Sequence, residues 1–75
     1  MYNRSTAQAI VDELEDFGFY LVEQLGNEFY LATNTGTVDD EYLDLAYDVA
    51  SEYDAVNVYP AFHQGEDMIV VEILH

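Results

Sequence analysis

Along STAQAIVDELEDF, the apolar residues Ala7, Ile10, Val11, Leu14 and Phe17 recur at steps of three and four. That period places them on one face of a helix. Asp12, Glu13, Glu15 and Asp16 fall off this face. Ser5 followed by Gln8 has the spacing of a capping box, and Gly18 supplies a stop, so a helix is expected over about residues 6 to 16. The pattern then changes. FGFYLVEQLGNEFYLATN holds two β-rich runs around Gly26-Asn27, a pair suited to a tight hairpin turn. A two-residue loop there places Val22 opposite Leu31, Gln24 opposite Phe29 and Tyr20 opposite Thr33. Phe19, Leu21, Glu23, Tyr30 and Ala32 then share the other face.

TVDDEYLDLAYDVASEYD returns to the helical period, with Tyr42, Leu45, Ala46, Val49, Ala50 and Tyr53 as its apolar stripe. Thr37 and Asp40 have capping-box spacing, and Asp39, Asp40 and Glu41 suit the positive end of a helix dipole. AVNVYPAFHQGEDMIVVEILH forms a second hairpin turning at Gln64-Gly65, with Val56, Val58, Ile69, Val71 and Ile73 on its inner face. Pro60 lacks a backbone donor, so the third strand is expected at an edge or bulged there.

The element order αββαββ, without an internal linker, predicts one α+β domain over residues 1–75. Two helices on one face of a four-stranded antiparallel sheet, strand order 3-4-2-1, keep every connection short. This arrangement resembles a circular permutation of the ferredoxin-like fold. The opposite sheet face is then expected to show Phe19, Leu21, Tyr30, Tyr59, Met68 and Val70, covered by a homodimer, another partner or the coiling of the sheet itself.

Charge changes the picture. The chain carries sixteen Asp and Glu against one basic side chain, Arg4, for a net charge of −15. At 51% hydrophobic residues with eleven aromatics, it is too apolar for a disordered acidic tail. Glu41, Asp44, Asp48 and Glu52 follow at steps of three, four and four. They form an acidic ridge about 16 Å long, at roughly 1.5 Å per residue. Like charges at this spacing weaken a helix, and no lysine is interspersed to relieve them. So anionic a chain is not expected to bind nucleic acid or an anionic membrane directly. A basic protein surface is the natural counterpart.

Little else carries chemistry. There is no cysteine, and His63 and His75 are the only imidazoles. His63 stands near Glu66 and Asp67, but two histidines without fixed spacing do not make a metal site, and no EF-hand spacing is present. No nucleophile motif, phosphate loop or dinucleotide fingerprint occurs, so neither enzyme activity nor a cofactor is expected. The N-terminal residues lack signal-peptide character and no apolar run has transmembrane length, which makes the cytoplasm the expected compartment.

The short acidic domain, the near absence of Lys and Arg, and the helix DDEYLDLAYDVASEYD resemble the acidic DNA-mimic inhibitors of phages, the anti-CRISPR and antirestriction proteins. The resemblance is compositional and aligns no motif. It implies an inhibitor that occupies the nucleic-acid channel of a bacterial defence complex in the host cytoplasm. The residues expected at such a contact are Asp39, Asp40, Glu41, Asp44, Tyr47, Asp48, Glu52 and Asp54, joined by Asp12, Glu13, Glu15 and Asp16. Tyr47 stands off the apolar stripe, and tyrosine is enriched in binding hot spots. The same charge also suits a nuclease inhibitor or immunity protein, which uses the same electrostatics. It equally suits a small domain adapted to molar salt.

Overall fold

The computed structural model describes residues 4–74. Its elements are α1 (Arg4–Asp16), β1 (Phe19–Leu25), β2 (Glu28–Thr33), α2 (Asp40–Ala50), β3 (Val56–His63) and β4 (Glu66–Ile73). The sheet is antiparallel throughout with order β1-β2-β4-β3, and the helices pack on one of its faces, α1 over β1 and α2 over β3. This is the expected α+β arrangement, including the strand order. Ile10, Val11 and Leu14 of α1, Ala46 and Val49 of α2, and Leu31, Val58, Ile69, Val71 and Ile73 of the sheet form the core between the layers.

Turn chemistry sets the hairpin registers. Gly26 has φ +63° while Asn27 keeps a negative φ, as a type II′ turn requires. Asn27 also extends the β2–β4 ladder: its carbonyl accepts from the Ile73 N–H at 2.9 Å, and its side-chain amide donates to the Ile73 carbonyl at 2.8 Å. At the second turn both Gln64 (φ 54°) and Gly65 (φ 80°) are left-handed, the type I′ pattern. The β3–β4 register then pairs Val56 with Ile73 and Val58 with Val71, as the sequence predicts. Pro60 lies on the edge strand β3.

Three local expectations are corrected. First, helix α1 already includes Arg4 and Ser5, so Ser5 stands inside the helix instead of capping it, and the Gln8 side chain donates to Asp12 Oδ1 at 2.8 Å. Second, α2 is capped by Asp39, not Thr37: Asp39 Oδ1 accepts from the Tyr42 N–H at 3.0 Å. The Thr37 carbonyl is engaged instead by the Thr33 hydroxyl. Third, β1 carries a bulge. Gln24 opposes Phe29 as expected, but the register shifts at Val22, so Leu21 opposes Leu31 and Tyr20 opposes Ala32. Side chains alternate along a strand, and one extra residue turns everything beyond it to the other face. Phe19 therefore enters the helix-side core and meets Tyr42 edge-on at 5.5 Å.

The opposite sheet face is accordingly less apolar than expected. Phe19 and Leu21 have both left it for the helix side, while Met68 and Val70 remain there at only 1% exposure each, outside the helix-side core. Sheet coiling accounts for their burial. Three strand spacings of about 4.8 Å separate β3 from β1 in a flat sheet, some 14 Å and beyond the combined reach of two side chains. Yet His63 Nε2 on β3 meets Glu23 Oε2 on β1 at 2.6 Å. The His63 ring also stacks on Tyr30 of β2, with centroids 4.3 Å apart. The edges curl toward each other, and these polar side chains close a lid across β4, the strand that carries Met68 and Val70.

Candidate partner-binding surface

The outward sides of α1 and α2 face away from the sheet on the same side of the molecule, with the helices in contact. On α1, Asp12, Glu15 and Asp16 are exposed, because Ala7, Ile10, Val11 and Leu14 take the buried stripe. On α2, burial of Ala46, Val49 and Ala50 turns Asp40, Glu41, Asp44, Tyr47 and Asp48 outward. Asp39 stands exposed at the N-cap, and Asp54 is exposed in the segment leading to β3.

Two of the expected contact residues differ from the rest. The expected ridge treats Glu52 as part of the helix, but α2 ends at Ala50. The chain then tightens, with the Glu52 N–H bonded to the Val49 carbonyl at 3.1 Å and the Tyr53 N–H to the Ala50 carbonyl at 3.1 Å. Glu52 remains exposed on this turn. Glu13 is half-buried and points between the helices, where it accepts from the Tyr53 hydroxyl at 3.4 Å. Burial first, and then the Glu13 carboxylate, push the Tyr53 hydroxyl pKa up. Glu13 thus serves helix packing, and the remaining acids form the outward surface.

The carboxylates divide by environment. Two of those on the outer sheet face have partners: Glu23 bonds His63, and Glu28 accepts from the Tyr59 hydroxyl at 2.6 Å. The bond to Glu28 is the main reason the Tyr59 pKa is pushed up to about 12, assisted by burial and by the charges of Glu28, Glu72 and Tyr30. Among the described residues His63 is the one basic side chain within bonding distance of a carboxylate, Glu23, and no described basic group lies that close to the helix acids. Arg4 lines a groove between α1 and β1, on the far side of α1 from α2.

Sequence reasoning missed the lid of Glu23, Tyr30, Tyr59 and His63. His63 and Glu23 are forty residues apart, and no local pattern links them. His63 bonds Glu23 in place of the neighbouring Glu66 and Asp67, and no metal-binding cluster occurs among the described residues. His75 lies outside the described residues. No described helix is long and apolar enough to cross a membrane. Comparison with family models, curated proteins and solved structures gives no match.

Proposed function

We propose that this chain is an inhibitor that binds the basic nucleic-acid-binding surface of a protein, of the anti-CRISPR or antirestriction kind, by presenting carboxylates where that surface expects phosphates. The observation that carries the reading is the uncompensated acidic layer. Two adjacent helices expose Asp12, Glu15, Asp16, Asp40, Glu41, Asp44 and Asp48 on one side of the molecule, with Asp39, Glu52 and Asp54 at the ends of α2.

Duplex DNA carries one negative charge per roughly 1.7 Å of axis. The α2 acids from Glu41 to Asp48 span about 10 Å at 1.5 Å per residue, and Glu52 prolongs them. Each helix is a rigid support, so a basic channel meets these charges without first ordering a flexible tail. Tyr47, 44% exposed between Asp44 and Asp48, adds an aromatic anchor. The repulsion among these acids works against folding, and a basic partner relieves it on binding.

The test is displacement. RNA-guided nucleases and restriction endonucleases are incubated with labelled target duplex and increasing amounts of the chain. Loss of DNA binding by one of them, reversed by excess unlabelled duplex, is the expected result. Binding to such a protein without displacement of its DNA contradicts the proposal.

A further inference from the structure

We propose that the groove between the end of α1 and the start of α2 is a binding site for one arginine side chain of a basic partner protein. The groove is open, has a volume of about 410 Å³, and is lined by Phe17, Thr35, Asp39, Glu41, Tyr42 and Leu45. That volume lies in the lower part of the roughly 300–1,000 Å³ range of pockets that hold small organic groups. Carboxylates at a helix N-terminus are ordinary, and on their own they ask for no ligand. Here they share a groove with two aromatic rings and a leucine, and that combination suits one kind of group.

The fold holds these walls in place. In the turn that ends α1, the Phe17 N–H bonds the Leu14 carbonyl at 3.0 Å, and the Phe17 side chain is left 45% exposed. Phe19 meets the Tyr42 ring edge-on at 5.5 Å, and the same ring stands 3.6 Å from where a β-carbon on Gly18 would lie. Tyr42 is therefore a braced, half-buried ring. On the loop side, the Thr35 hydroxyl is tied to that of Thr33 at 3.0 Å. Asp39 spends Oδ1 on the Tyr42 N–H, which leaves Oδ2 for an outside donor. Glu41 is exposed one turn before Leu45, so its carboxylate and that apolar side chain are neighbours on α2.

Arginine matches each part. Its aliphatic stem covers apolar surface such as Leu45 while the charged end stays at the rim. A guanidinium is attracted to the faces of aromatic rings, and its planar fork of donors fits carboxylates. The helix dipole opposes a cation here with about half a charge, but Asp39, Asp40 and Glu41 together exceed it. The chain does not supply the cation itself. Arg4, its only Lys or Arg, lines a different groove, and His63 bonds Glu23. A second copy is a poor source, since two chains of net charge −15 repel. The occupant is an arginine-bearing basic protein; that this protein binds nucleic acid rests on the inhibitor reading.

Titration of the full chain with the peptide acetyl-Gly-Arg-Gly-amide, followed by NMR in about 0.15 M salt, tests the site. Saturable shifts of the Phe17 and Tyr42 ring signals are expected, weaker with the lysine peptide and absent with the citrulline peptide, which keeps the shape without the charge. Phe17→Leu retains an apolar side chain but no π face, and should weaken arginine binding about two- to fivefold. Asp39→Asn with Glu41→Gln removes two charges, keeps a good N-cap residue, and should weaken it about fivefold with an unchanged circular dichroism spectrum. Shifts confined to the outer α2 acids with the rings unmoved, equal binding of the citrulline peptide, or unaltered affinity in Phe17→Leu overturns the proposal. The peptide needs no nuclease, so the two ideas fail separately. Ring shifts in a chain that displaces no DNA uphold the groove and remove the inhibitor reading; displacement of DNA by a chain whose rings ignore the peptide does the reverse.

Discussion

Replacing Met68 by alanine tests whether the outer sheet face is truly closed. The side chain is 1% exposed although no helix covers that face. Deleting a buried methionine costs about 2–5 kcal/mol, the transfer term plus a cavity term. The lower half of that range is expected, because a lid of side chains can settle into the space more easily than a helix can. A domain of this length has roughly 4–11 kcal/mol of stability, so even 2–3 kcal/mol is a large fraction. With a urea slope near 1 kcal/mol/M for so small a chain, the unfolding midpoint should fall by about 2–3 M. Phe62→Ala is the control: Phe62 lies on the neighbouring strand but is 75% exposed, and its change should stay within about 0.5 kcal/mol. His63→Ala, which removes the edge-to-edge bond, should destabilise less than Met68→Ala and raise hydrogen exchange along β1 and β3. If Met68→Ala costs under about 1 kcal/mol with an unchanged slope, the face is open to water and the coiled closure is wrong.

Three further outcomes follow from particular contacts. Asp39→Ala removes the acceptor for the Tyr42 N–H and should cost about 1 kcal/mol in denaturant unfolding, whereas Thr37→Ala, though it leaves the loop looser, removes no cap. The Tyr59 hydroxyl has a folded pKa pushed up from the usual 10 to about 12, so its contribution to stability is fully present below about pH 10 and is lost as pH rises through 12. Unfolding measured across that interval should show the loss in the parent and a shallower one in Tyr59→Phe. The thermal midpoint should rise from low salt to about 0.5 M as the unpaired acids are screened, and a flat or falling midpoint would refute the repulsion.

Where single residues carried strong local signals, the sequence was a sufficient guide. Hydrophobic period separated helices from strands, Gly26 and Gly65 located the turns, and the two-residue turn at Gln64-Gly65 gave the β3–β4 register. The exposed acids were legible for the same reason, since the apolar stripes fix the outward positions. The bulge was not. FYLV is apolar on both faces, so either alternation satisfies it, and only packing of Phe19 against Tyr42 decides. The cap was ambiguous because TVDD offers several side-chain acceptors in succession, and the Thr37 hydroxyl lies against Thr35 Oγ1 while Asp39 takes the Tyr42 N–H. The lid depends on contacts between residues about thirty to forty positions apart, which form only once the sheet has coiled.

The most direct measurement of the proposed mimicry neutralises the α2 acids. Asp44→Asn, Asp48→Asn and Glu52→Gln together remove three exposed charges while keeping side-chain size. The variant should fold as well as the parent or better, because like-charge repulsion is relieved. Its ability to displace duplex DNA from a basic nucleic-acid-binding protein should drop sharply, with a shallower dependence on salt. The matching change on α1, at Asp12, Glu15 and Asp16, reports whether both helices contribute. Full displacement by the α2 variant, with the parent's salt dependence, would contradict the proposal that these carboxylates stand in for phosphates.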